Sequence, residues 1–142
     1  MKKLNQISSL QPYAALFIRL AFGYHLVQYT YGDVFELTAG SNNKDWLGGM
    51  GLPFPYLMGW IYILTEFIGG IAIIVGFKTR WFALPLIFNF IVALVLVHLG
   101  KTYKESFEAI QMLAVSFFFL FNGSGKLSVD DYLENRKDNI NY

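Results

Sequence analysis

The sequence predicts an all-α membrane protein: a transmembrane four-helix bundle with both termini cytoplasmic. Three observations carry that expectation. Of 142 residues, 55% are hydrophobic and only 15% are charged, an apolar excess that a soluble domain of this size does not need. Four runs approach the roughly 20 residues that a spanning helix requires, at about 12–31, 55–76, 81–100 and 105–122 of a single membrane domain, 1–142. The connectors at 77–80 and 101–104 are so short that the last three runs must be antiparallel neighbours.

Each element has a local reason. Lys2 and Lys3 precede an apolar run in the manner of a signal peptide. Arg19 interrupts that run and no small-residue cleavage site follows, so it reads as a retained first span. Pro12 and Pro55 fall in first turns, where a missing N–H is tolerated. The outward loop 32–54 is rich in Gly, Asn and Asp but also carries Trp46, Leu47, Met50 and Leu52. It is therefore expected to fold back over the outer end of the bundle. Pro85 lies early in the third span, and Gly123 is the expected C-cap of the fourth. Ser128 and Asp131 suit a capping box opening a short cytoplasmic amphipathic tail, 128–137.

Orientation follows from the basic residues. Lys2, Lys3, Lys78, Arg80, Lys126, Arg136 and Lys137 fall on one side, against Lys44, Lys101 and Lys104 on the other. The richer side is cytoplasmic, which implies a multi-pass protein of the inner (cytoplasmic) membrane. Trp60 and Trp81 sit at span ends, as interfacial tryptophans do. A net charge of +1 gives no argument for nucleic acid, and with no cysteine the chain has no thiol redox couple. Electron chemistry would need a bound cofactor or a partner subunit.

The polar residues within the spans point to a site. Glu66 is the one ionisable group in "WIYILTEFIGGIAIIVGF", at a depth where an acid costs about 2.5–3.5 kcal/mol on insertion scales. Gly69, Gly70, Ala72 and Gly76 form a small-residue strip beside it, which implies that it faces neighbouring helices. His25 and Gln28 lie in the outer half of the first span, His98 near the outer end of the third, and Glu108 and Gln111 in the outer part of the fourth. Together with Glu66 they are expected to line an outer-half cavity. Arg19 is about 9 Å from the inner end of its span. It reads either as a further site residue or as Glu66's partner in a buried ion pair that fixes register. Asn89 and His98 are nine positions apart, about 180° around a straight helix, so they are not expected to share one cavity. His98 is preferred for its depth, and Glu105 is expected to be solvated.

"FIRLAFGYHLVQ", "GMGLPFP", "TEFIGGIAIIVGFKTRW", "LVLVHLG" and "NGSGKLSVDDYL", in this order, resemble the DoxX family. The resemblance implies a four-span bacterial or archaeal membrane protein, with relatives that include the quinone-reducing membrane subunit of thiosulfate:quinone oxidoreductase. It matches the family's intramembrane arginine to Arg19, its span-two glutamate to Glu66, its span-three histidine to His98 and its span-four acid to Glu108. The function it implies is an oxidoreductase membrane subunit that binds a quinone and works with a partner subunit. In that reading Glu66, His98 and Glu108 handle protons, while His25, Gln28, His98, Gln111 and Arg19 contact the cofactor. Two other readings stand beside it. One is a small transport or accessory module with an intramembrane Glu/His proton relay. The other is haem or metal ligation by His25 and His98, although no ligand motif of fixed spacing is present.

Overall fold

The computed structural model describes residues 10–138, and within them the chain is all-α, with six helices and no strand. In order they are α1 (Gln11–Phe35), α2 (Ala39–Gly49), α3 (Pro55–Val75), α4 (Thr79–Leu96), α5 (Tyr103–Asn122) and α6 (Val129–Asp138). Lys2 and Lys3, used above for orientation, lie outside the described residues. Of the long helices, α3 and α4 are apolar enough over their length to cross a membrane. α1 and α5 carry more polar residues, the same ones that suggested a site.

Start and stop signals are where local chemistry puts them. Pro12 and Pro55 occupy the first turns of α1 and α3. At α5, Thr102 and Glu105 close a capping box, with Thr102 N–H and Oγ1–H both donating to Glu105 Oε2 (3.0 and 2.6 Å). Glu105 is thus exposed but bonded, with its charge at the positive end of the helix. Pro85 lies inside α4, and Gly123 caps α5.

The core is formed by Phe22 and Leu26 of α1, Ile73 of α3, Ala83, Leu86 and Phe90 of α4, and Phe119 of α5. Outside it, Phe17, Tyr24, Phe88 and Phe121 are each more than 60% exposed. An outer surface this apolar suits acyl chains better than water. α1 and α3 approach each other closely. A Cβ on Gly23 would lie 2.5 Å from Ile74 Cγ1 and 2.7 Å from the carbonyl oxygen of Gly70. A backbone oxygen cannot step aside, so Gly23→Ala is expected to force the two helices apart. The expected cost is about 1–3 kcal/mol, the range for overpacked cores, read as earlier thermal unfolding in detergent.

The segment between the first two long helices, expected as a loop, contains a helix. Residues 39–49 are helical, and Ala39, Gly40 and Leu47 are buried. The segment's glycines and asparagines are poor helix formers, and its order comes from packing on α3. Gly59 lies against the Ala39 carbonyl and Gly40, and Gly40 lies against the ring of Tyr56. Asp33 at the end of α1 accepts bonds from Thr38 Oγ1 (3.0 Å) and Asn42 Nδ2 (2.6 Å), tying α2 to α1.

At the opposite end the tail is a fastening. Ser128 Oγ accepts from the N–H of Asp131 (3.1 Å), which opens α6. Asp131 pairs with Lys126 (2.8 Å), so only half of the expected capping box forms. Asp130 reaches across to α4, where its carboxylate accepts the N–H groups of Lys78 (2.7 Å) and Thr79 (3.1 Å). A carboxylate at a helix N-terminus satisfies free donors and complements the dipole.

Candidate functional site

A cavity of about 120 Å³ lies inside the bundle toward the α2 end. Four helices converge on it: His25 and Tyr29 from α1, Tyr62 and Glu66 from α3, Phe90 from α4, and Glu108 from α5, with His98 from the turn after α4. Glu66 is 2% exposed and accepts a hydrogen bond from Asn89 Nδ2 (3.0 Å). Among the described residues it forms no ion pair. His25 Nε2 lies 2.9 Å from Glu108 Oε1, bringing α1 and α5 together at the cavity. The His25 ring stacks on Tyr29 with centroids 6.2 Å apart. Trp46 of α2 meets Tyr62 edge to face at 6.3 Å, so the outer helix braces a cavity wall.

Arg19 is not at this cavity. It is 2% exposed, and its guanidinium donates to the carbonyls of Ile74 (3.1 Å), Ser124 (2.9 Å) and Leu127 (2.7 Å). Ile74 lies about 12 Å further along α3 than Glu66. The long side chain therefore extends toward the α6 end, where unpaired carbonyls at the close of α3 and in the tail offer acceptors. The Arg19–Glu66 pair does not form, and Asn89 stands where the arginine was expected.

Gln28 and Gln111 are exposed and do not line the cavity. The cavity faces of their helices are centred on His25, Leu26 and Tyr29 and on Glu105, Glu108, Ala109 and Met112. Each glutamine lies about 110° around the helix from that centre. Gln111 instead borders a groove outside, between α1 and α5.

His98 lines the cavity and Asn89 does not; Asn89 meets the site through its bond to Glu66. α4 ends at Leu96, so His98 sits in a turn whose direction the helical period does not govern. Its Nδ1 is buried without a partner. Tyr29 and Tyr62 were not proposed as site residues from sequence, and Asn89 was passed over in favour of His98. A signal existed for Tyr62, which lies one helical turn before Glu66 on the same face. Among the described residues no three of His, Cys, Asp and Glu are grouped so that they could hold a metal ion.

The DoxX family model matches residues 14–99. The chain belongs to the DoxX family. That match runs from α1 to the turn after α4 and includes Arg19, His25, Glu66, Asn89 and His98. The α5 residues of this DoxX protein, Glu105 and Glu108 among them, lie beyond it. No curated protein and no solved structure matches the chain. Family membership together with the apolar helices makes this a membrane protein.

Proposed function

We propose that this DoxX protein is a four-span subunit of an oxidoreductase system of the inner membrane, and that its cavity binds the head of a quinone. α1, α3, α4 and α5 are the spans in this reading. The end carrying Lys78, Arg80, Lys126, Arg136 and Lys137 faces the cytoplasm, and the cavity lies in the outer half. A quinone supplies two-electron, two-proton chemistry and presents two carbonyl acceptors.

The residues suit such a ligand. His98 carries the observation that matters most: it lines this half-open cavity, and one of its ring nitrogens is buried with no partner among the described residues. Leaving a polar group unpaired in a low-dielectric region is costly, and a turn of the His98 ring toward the cavity would let a ligand atom relieve that cost. An imidazole can both donate and accept a hydrogen bond, which suits it to a quinone carbonyl and its proton. Glu66 holds a carboxyl deep in the bundle where Asn89 fixes one of its oxygens and leaves the other facing Tyr62 and the cavity. His25 and Glu108 form a second proton-bearing couple at the rim. In this reading His25 and His98 hold the head, while Glu66 and Glu108 pass protons.

Purified protein in nanodiscs is expected to bind a short-chain ubiquinone analogue, and His98→Ala to weaken that binding by at least about tenfold, the loss of one good hydrogen bond to a charged or polarised group. Equal binding by the variant and the wild type would sink the assignment of His98. A Glu66-dependent proton flux in proteoliposomes without any quinone would favour the transport module instead.

A further inference from the structure

The seam between α1 and α5 is the most loosely packed of those between adjacent long helices. On its outer side lies an open apolar groove of about 500 Å³, formed by Ala21 and Phe22 of α1 and Ala114 and Val115 of α5. His25 and Met112 line this groove and also line the inner cavity. The two spaces are therefore back to back, sharing those two side chains as a wall, with Glu108 on the cavity side 2.9 Å from His25 across the seam. We propose that the cavity's ligand enters sideways from the bilayer through this seam, and that its apolar chain remains in the groove while its head is inside. This inference rests on the quinone reading and adds a route and a second subsite to it.

Three features support a passage here and not elsewhere. The groove is apolar and faces outward, so a chain lying in it exchanges lipid contacts for protein contacts at little cost. The barrier is movable. His25 and Glu108 side chains are 41% and 64% exposed, and a pair so accessible contributes little to holding helices together. Met112 is unbranched and repacks readily. The α1–α3 seam and the α2 side are closed more firmly, since α1 and α3 meet at Gly23 and Gly70, and Trp46 of α2 packs on Tyr62. The groove's occupant is thus the tail of the same molecule, by continuity with the polar cavity.

The test uses two probes, a ubiquinone head carrying a decyl chain and the same head with no chain, measured by equilibrium binding in nanodiscs. Ala114→Trp fills the groove without touching the cavity, and Ala114→Phe is a milder second variant should the first fail to fold. Both are expected to weaken decyl-probe binding, Ala114→Trp by roughly tenfold, comparable to losing about two buried methylenes. Chainless-probe binding should change by less than about twofold. If the chainless head binds wild type and both variants equally while the decyl probe shows no preference for wild type, the portal is wrong and the cavity reading survives. If neither probe binds wild type, the quinone reading itself fails and the portal with it. Loss of a dimer in the variants, with unchanged decyl binding, would assign the groove to a second copy of the chain and overturn the proposal.

Discussion

Arg19→Met should cost the fold several kcal/mol, more than any other single substitution at a polar position. The guanidinium serves three carbonyls on two separate parts of the chain, the end of α3 and the segment before α6. Methionine fills much of the space but leaves those acceptors unpaired, at about 1–3 kcal/mol each where water cannot replace the donor. Domains of ordinary stability have only about 5–15 kcal/mol in total. The expected result is a large fall in thermal stability together with new protease sensitivity around 124–128. Arg19→Lys should rescue only partly, because an ammonium lacks the planar fork that meets three acceptors at once. A double-mutant cycle with Glu66→Gln should show the two substitutions adding independently. Strong coupling would restore the ion pair that the structure replaces.

Glu66→Gln should give the opposite profile, with an intact fold and lost function. The glutamine oxygen still accepts from Asn89, and removing an ionisable group from mid-membrane depth relieves part of the cost of about 2.5–3.5 kcal/mol that insertion scales assign to an acid there. Thermal stability should hold or rise. If the carboxyl passes protons, quinone reduction attributable to the protein in native membranes should fall by about 10²-fold or more, the usual contribution of a positioned acid or base. Binding of the chainless quinone head should change by less than about fivefold. Retained turnover in a well-folded variant would reduce Glu66 to a structural hydrogen-bond acceptor.

The main helices were legible because length and hydropathy speak directly to them, and prolines and Gly123 mark their ends. The inward turn of Glu66 was legible too, from the small residues beside it. Other features were hidden for identifiable physical reasons. Helix α2 has weak local propensity and exists because Gly40 and Gly59 let it lie close on α3, a tertiary cause that no window of sequence contains. The partners of Arg19 are backbone carbonyls, which every residue has and no side chain announces. Asn89 does not line the cavity, and its bond to Glu66 depends on how α3 and α4 pack, which the period of α4 alone does not give. Gln28 and Gln111 shared the right depth but not the right face, and depth alone was too coarse a criterion.

The long reach of the Arg19 contacts bears on how the molecule is made. Two of its acceptors lie 105 and 108 residues downstream. During synthesis the first helix must therefore present a bare cation to the insertion machinery while most of the chain is still unborn. Ile74 can offer a single oxygen once the second long helix emerges, but the remaining two arrive only after the fourth. Biogenesis consequently has a late locking event, and nascent chains arrested before residue 124 would retain an incompletely satisfied guanidinium for quality control to detect.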